Sequence, residues 1–106
     1  MQRDLIERAK KIKLLILDVD GVLTDGKLYI GNEKEELKSF DIKDGLGMVL
    51  LMKTGIELAV ITGKQSHIVQ KRMQDLGVKH VIQGQLNKVP AYLDLLEKLK
   101  LTPEQT

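Results

Sequence analysis

The run Leu14-Leu15-Ile16-Leu17-Asp18-Val19-Asp20-Gly21-Val22-Leu23-Thr24-Asp25-Gly26 decides the fold. With Ile12 before it, and only Lys13 interrupting, its apolar part has the length and branched content of a strand buried on both faces. In extended backbone, residues i and i+2 point the same way, so Asp18 and Asp20 are expected to project together. Gly21 then permits a sharp turn where a Cβ would obstruct the chain. Two carboxylates at the carboxyl end of a central parallel strand stand where open α/β sheets place their ligands. That loop is the candidate active site.

Working outward, residues 2–10 favour a short polar helix with Leu5, Ile6 and Ala9 at helical spacing. Residues 27–40 read as a β-hairpin or flap, with Gly31-Asn32 at the turn and Glu33 to Glu36 as a solvated tip. Asp44 is expected to cap a helix running to about 53, with Leu46, Val49 and Leu50 on one face and Gly55 after its end. Residues 56–61 form a second buried strand, closed by Thr62-Gly63. Ser66 caps a helix over about 67–76 that ends at Gly77, and 78–82 is a third strand. The last long helix covers about 88–100, with Pro90 in its first turn and Leu93, Leu96 and Leu99 on its buried side. Strands alternating with helices at this spacing predict right-handed βαβ units and a parallel sheet in an α/β fold. Thr102-Pro103-Glu104-Gln105 has the form of a helix start, close to the last residue, Thr106.

The bulk properties narrow the function classes. A chain of 106 residues builds one domain with a modest core. Its 42% hydrophobic content is that of a folded protein, and the core is aliphatic because Tyr29, Phe40 and Tyr92 are the only aromatics. A net charge of +2 with interspersed signs gives no electrostatic case for nucleic acid or a membrane surface. Without cysteine, disulfides and thiolate metal sites are excluded. The N-terminal segment lacks the apolar core of a signal peptide and no run approaches the ~20 apolar residues of a membrane span, so a cytoplasmic protein is expected. His67 and His80 have no second histidine or cysteine at metal spacing and read as structural or solvent-facing. Met48, Met52 and Met73 read as core filler.

The ordered set Asp18-x-Asp20-Gly21-x-x-Thr24, Ile61-Thr62-Gly63 and Lys88 resembles the haloacid dehalogenase superfamily of phosphotransferases. Within it, the chain is most similar to the 3-deoxy-manno-octulosonate 8-phosphate phosphatases of lipopolysaccharide sugar synthesis. That likeness rests on residues 18–26, on Phe40-x-x-x-Asp44-Gly45-x-Gly47, and on Ile61-Thr62-Gly63-x-x-Ser66 with Arg72, and it spans about Lys13 to Leu99. The resemblance implies a Rossmannoid three-layer fold and a Mg2+-dependent phosphatase working through an aspartyl-phosphate. A carboxylate that attacks a phosphate monoester turns one hard step into two easier ones. By the resemblance Asp18 is that nucleophile and a metal ligand. Asp20 is the general acid and base, contacts the substrate, and binds the metal through its backbone carbonyl. Thr62 and Gly63 meet the phosphoryl group, and Lys88 neutralises its charge. The sugar lies against Asp41, Ile42, Lys43, Asp44 and Gly45, with Lys64 and Arg72 helping. The resemblance also implies a homotetramer joined through the hairpin, whose Leu28, Tyr29, Ile30 and Leu37 read as an interface.

Two departures stand out. Lys64 occupies a position where the subfamily usually has arginine, so a point charge replaces a bidentate fork. The superfamily's fourth motif, an acidic pair on a strand beside that of Asp18, would fall beyond Thr106, so a C-terminally truncated chain is expected. Residues 14–17 would then lie on an exposed sheet edge. Two other functions compete. One is a catalytically inactive homologue acting in assembly or regulation. The other is a phospho-acceptor receiver domain, which requires an acidic pair well before the acceptor aspartate, where this sequence has only its charged N-terminal segment.

Overall fold

Three short apolar runs lie side by side at the centre of a computed structural model that describes residues 2–106. In chain order, α1 (Gln2–Lys10) leads to β1 (Leu14–Leu17), then to the hairpin strands β2 (Tyr29–Ile30) and β3 (Glu36–Leu37). Next come α2 (Ile42–Lys53), β4 (Glu57–Ile61), α3 (His67–Leu76), β5 (His80–Ile82) and α4 (Val89–Leu99). A 3₁₀ turn at Pro103–Gln105 carries the capping box that Thr102 and Gln105 announce.

Strands β1, β4 and β5 form a parallel sheet in the order β1-β4-β5. Side chains alternate across it. Leu58 and Val60 join Val19, Leu23, Met48, Val69 and Met73 in a core beneath α2 and α3, whereas Ala59 joins Leu14, Leu95 and Leu96 beneath α4. Helices therefore cover both faces, giving the three layers expected of an α/β fold. Met48 and Met73 are buried and Met52 packs against them. No helix among the described residues is long and apolar enough to cross a membrane.

Several expectations are corrected. Among the described residues the Asp18 strand pairs with β4 alone, so it takes the exposed edge expected for residues 14–17 in the absence of a fourth-motif strand and not a central place, and Leu15 is 37% exposed. Asp44 does not cap α2. Asp41 does, in extended backbone, its carboxylate accepting the Lys43 N–H at 2.7 Å, while Asp44 lies in the first turn. Leu46 and Leu50 share an exposed stripe with Ile42 (83% exposed), and the core side of α2 is Gly45 and Met48. Leu93 likewise points outward from α4, where Ala91, Leu95 and Leu96 are buried. Ser66 occupies the N-cap of α3 without a side-chain cap bond, and Gly77 ends that helix in left-handed backbone at φ 87°. The hairpin turn is longer than Gly31-Asn32. It runs from Gly31 to Glu35, with the Gly31 N–H on the Glu35 carbonyl at 2.9 Å and Lys34 left-handed at φ 66°.

Candidate active site

Where β1 ends, the chain coils about one carbonyl. Val19 O accepts from the N–H groups of Val22, Leu23 and Thr24 at 3.1, 2.9 and 3.2 Å. Thr24 Oγ1 accepts from Gly21 and Gly26 at 3.2 and 3.1 Å, and Gly21 turns at φ 81°, a conformation that favours glycine. Asp18 is held at both oxygens: the Val19 N–H donates to Oδ1 at 2.7 Å and Lys88 Nζ lies 3.0 Å from Oδ2. Asp20 has already entered the turn, so the strand rule that would pair it with Asp18 no longer governs it. The two carboxylates are engaged by different lysines.

The partner of Asp20 is Lys38, which the sequence reading did not single out. Its Nζ lies 2.8 Å from Asp20 Oδ1, and its side chain is 5% exposed. Lys38 lies where the hairpin returns to the body, two residues before Phe40, which forms an antiparallel bridge with Thr24. The signal was weak but present. In extended backbone Lys38 shares a face with half-buried Phe40, with exposed Ser39 between them.

Thr62 follows β4 and is 2% exposed. Its N–H donates to Ile82 O and its carbonyl accepts from Gln85, both at 3.0 Å. Lys64 O accepts the Gly84 N–H at 3.2 Å, and a Cβ on Gly63 would stand 3.3 Å from Leu86 Cδ2. The loops after β4 and β5 are thereby zipped together and deliver Lys88, at the N-cap of α4, to Asp18. All three loops leave the sheet at its carboxyl edge, as parallel strands require. The Lys64 side chain is exposed there.

Arg72 belongs to a second cluster, with the first turn of α2. Its guanidinium lies 5.7 Å from the Phe40 ring centroid and packs so tightly on α2 that a Cβ at Gly45 would collide with Nη2. Arg72 Nε is buried without a hydrogen-bond partner, and Arg72 makes no ion pair among the described residues. It shares a recess with Leu23, Asp41, Asp44 and Gly45. Beside that recess, Thr24, Asp25, Ser39, Asp41 and Asp44 border a surface cavity of about 390 Å³. Ile42 and Lys43 face solvent, and Lys43 Nζ pairs only with Asp41 at 3.7 Å. The structure thus joins Asp18 to Lys88, Asp20 to Lys38, and Arg72 to Gly45. No hydrogen bond or ion pair among the described residues connects Arg72 or Lys64 to the Asp18 loop. His80 pairs with Glu57 at 3.1 Å between β5 and β4, in keeping with a structural role. No group of three or more histidine, cysteine or acidic residues suited to a metal occurs among the described residues.

No family profile matches the chain. Over 101 residues it is 52% identical to 3-deoxy-D-manno-octulosonate 8-phosphate phosphatase KdsC of Escherichia coli (strain K12), covering 95% of this chain and 54% of that protein. A crystal structure of 3-deoxy-D-manno-octulosonate 8-phosphate phosphatase from Yersinia pestis superposes with a TM-score of 0.93 at 47% identity, covering 96% of this chain and 55% of that one. The Moraxella catarrhalis enzyme of the same name, solved with a magnesium ion, a phosphate ion and a KDO molecule, gives a TM-score of 0.94 at 41% identity, over 99% of this chain and 60% of that one. The chain spans about half the length of the curated relatives it matches.

Proposed function

We propose, for a chain homologous to the 3-deoxy-D-manno-octulosonate 8-phosphate phosphatases of the haloacid dehalogenase superfamily, a phosphatase that hydrolyses a sugar-acid phosphate of that kind through an aspartyl-phosphate. The observation that carries this reading is the contact of Lys88 with Asp18 at 3.0 Å, on the carboxyl edge of a parallel sheet. Held at both oxygens, the Asp18 carboxylate is oriented for attack on phosphorus. As the P–O bond to the sugar breaks, Asp20 gives its proton to the departing oxygen. Asp20 then takes a proton from the water that attacks the aspartyl-phosphate, which releases phosphate and restores Asp18. The Lys88 ammonium offsets charge on the nucleophile and the phosphoryl oxygens, and the Thr62 hydroxyl donates to one of those oxygens. On the sugar, the carboxylate is assigned to the cations Arg72 and Lys64, with residues 41–45, beside Arg72, as a wall.

The donor set at this edge, the Asp18 carboxylate and the Asp20 main-chain carbonyl, contains oxygen alone. It fits a hard divalent cation that keeps waters and takes phosphate oxygens, and Mg2+ is the metal this reading assigns. Bound there, the cation would supply charge neutralisation between carboxylate and phosphate. A second reading is favoured by the lack of a third carboxylate or imidazole ligand among the described residues. In it the chain keeps the nucleophile's loop but binds or assembles without turnover. The reading also places the protein in the cytoplasm, as a homotetramer joined through the hairpin.

Phosphate release from 3-deoxy-D-manno-octulosonate 8-phosphate separates the two. Release that needs both Mg2+ and Asp18, and vanishes in Asp18→Asn, is the expected result. A folded chain that releases none would overturn the catalytic reading in favour of the second.

A further inference from the structure

Asp20 opens the turn after β1, with Gly21 next to it in left-handed backbone, and its carboxylate has two rotatable bonds with which to leave the productive direction. A group that must face the substrate's departing oxygen cannot be left to wander, because misplacement by about 1 Å costs on the order of a hundredfold in rate. What holds Asp20 is Lys38. The ammonium grips Oδ1 at 2.8 Å, and among the described residues no hydrogen bond reaches Oδ2, which stays free to face a substrate. Asp20 itself is 37% exposed on its side chain, whereas the lysine stem is 5% exposed. The lysine is therefore the fixed member of the pair and the aspartate the one that meets solvent. Its backbone is fastened as well: the Phe40 bridge to Thr24 ties the same segment to the same loop two residues later. Two independent links thus join the base of the hairpin to the turn that carries Asp20.

We infer that Lys38 is a positioning residue for Asp20. It fixes Oδ1, presents Oδ2 to the leaving oxygen, and couples the seating of the hairpin to the geometry of the acid–base group. This rests on the phosphatase reading, and it adds a residue to which neither the motifs nor the pairing of Asp18 with Lys88 assigns a role. Lys38 does not touch the substrate. Its loss is expected in the chemical step and not in binding.

The test uses two variants and two measurements. Lys38→Met keeps the packed stem and removes the charge, and Lys38→Arg restores a cation. For hydrolysis of 3-deoxy-D-manno-octulosonate 8-phosphate, Lys38→Met is expected to lower kcat by at least about tenfold with KM held within about twofold, and Lys38→Arg to recover most of the loss. A raised KM with kcat intact would mean that Lys38 holds the substrate, and would overturn the inference, as would no change in either constant. The second measurement needs neither metal nor turnover. In the chain labelled with ¹³C at aspartate Cγ, the Asp20 resonance is identified by its loss in Asp20→Asn. It is expected to move in Lys38→Met and to stay near its original position in Lys38→Arg. If the unaltered chain shows no turnover, the phosphatase reading fails for it and the resonance alone decides. Movement then supports the positioning of Asp20, and an unmoved signal overturns it.

Discussion

Gly45 shows how a single hydrogen in place of a methyl group bears on a distant side chain. It faces the core side of α2, and only the lack of a Cβ lets the Arg72 guanidinium lie against the helix beneath Phe40. Gly45→Ala pits two effects of similar size against each other. The helix gains about 1 kcal/mol of intrinsic propensity. Arg72 Nη2 must move, and Leu76 Cδ2, 3.2 Å from the new methyl, must give way. Because Nη2 ends a flexible chain, the unfolding free energy is expected to change by less than about 1 kcal/mol in urea titration. The KM for the sugar-acid phosphate should nevertheless rise severalfold with kcat nearly unchanged; an unchanged KM would remove Arg72 from substrate recognition. Asp18, Thr62 and Lys88 were singled out by their order in the family resemblance, and because each follows a buried strand or opens a helix, its place at the sheet edge follows from the element beside it. Lys38 was not. Its partner is eighteen residues away across a hairpin, and nothing in Leu37-Lys38-Ser39-Phe40 sets this lysine apart from the others.

Among the elements, periodicity gave the existence of every helix and strand of the sheet, but not always which side of a helix faces inward. Ile42, Leu46 and Leu50 make as good an apolar stripe as any, yet α2 turns Met48 and Gly45 to the core. The choice belongs to the packing against α3, where a glycine permits close approach, and no pattern within α2 alone contains it. The cap was ambiguous for a related reason: Asp41 and Asp44 are both suitable residues, and the extended backbone at Asp41 decides between them. The two faces of α2 predict unequal mutational costs. Met48→Ala removes packed volume and is expected to destabilise by about 2–3 kcal/mol. Leu46→Gln, on the solvent side, is expected to stay within about 0.5 kcal/mol. Urea unfolding of both variants checks the pair, and equal losses would mean that the outer stripe is covered in solution.

For the whole molecule, the three-layer architecture follows from alternation of buried strands and helices, whereas the sheet order does not. A strand flanked by two others and a strand at an edge can share one apolar composition, so the run 14–17 alone reads as central, and only the resemblance, with its fourth-motif strand missing, put β1 at the edge where it lies beside β4. The hairpin stands apart from both cores, with Leu28, Tyr29, Ile30 and Leu37 all exposed. So much apolar surface on a two-residue ladder is what the proposed hairpin interface would bury. Tyr29→Asp combined with Ile30→Asp is expected to lower the sedimenting mass without loss of secondary structure; an unaltered mass would remove the hairpin from the interface. The two ion pairs at the candidate site have a further consequence. Lys88 opposes Asp18 and Lys38 opposes Asp20, so these four formal charges sum to zero. Two closed ion pairs exert little pull on an anion across a Debye length of about 8–10 Å. On the phosphatase reading these two pairs would therefore act on a phosphate ester at short range and not from afar, and their share of the encounter rate should depend little on ionic strength.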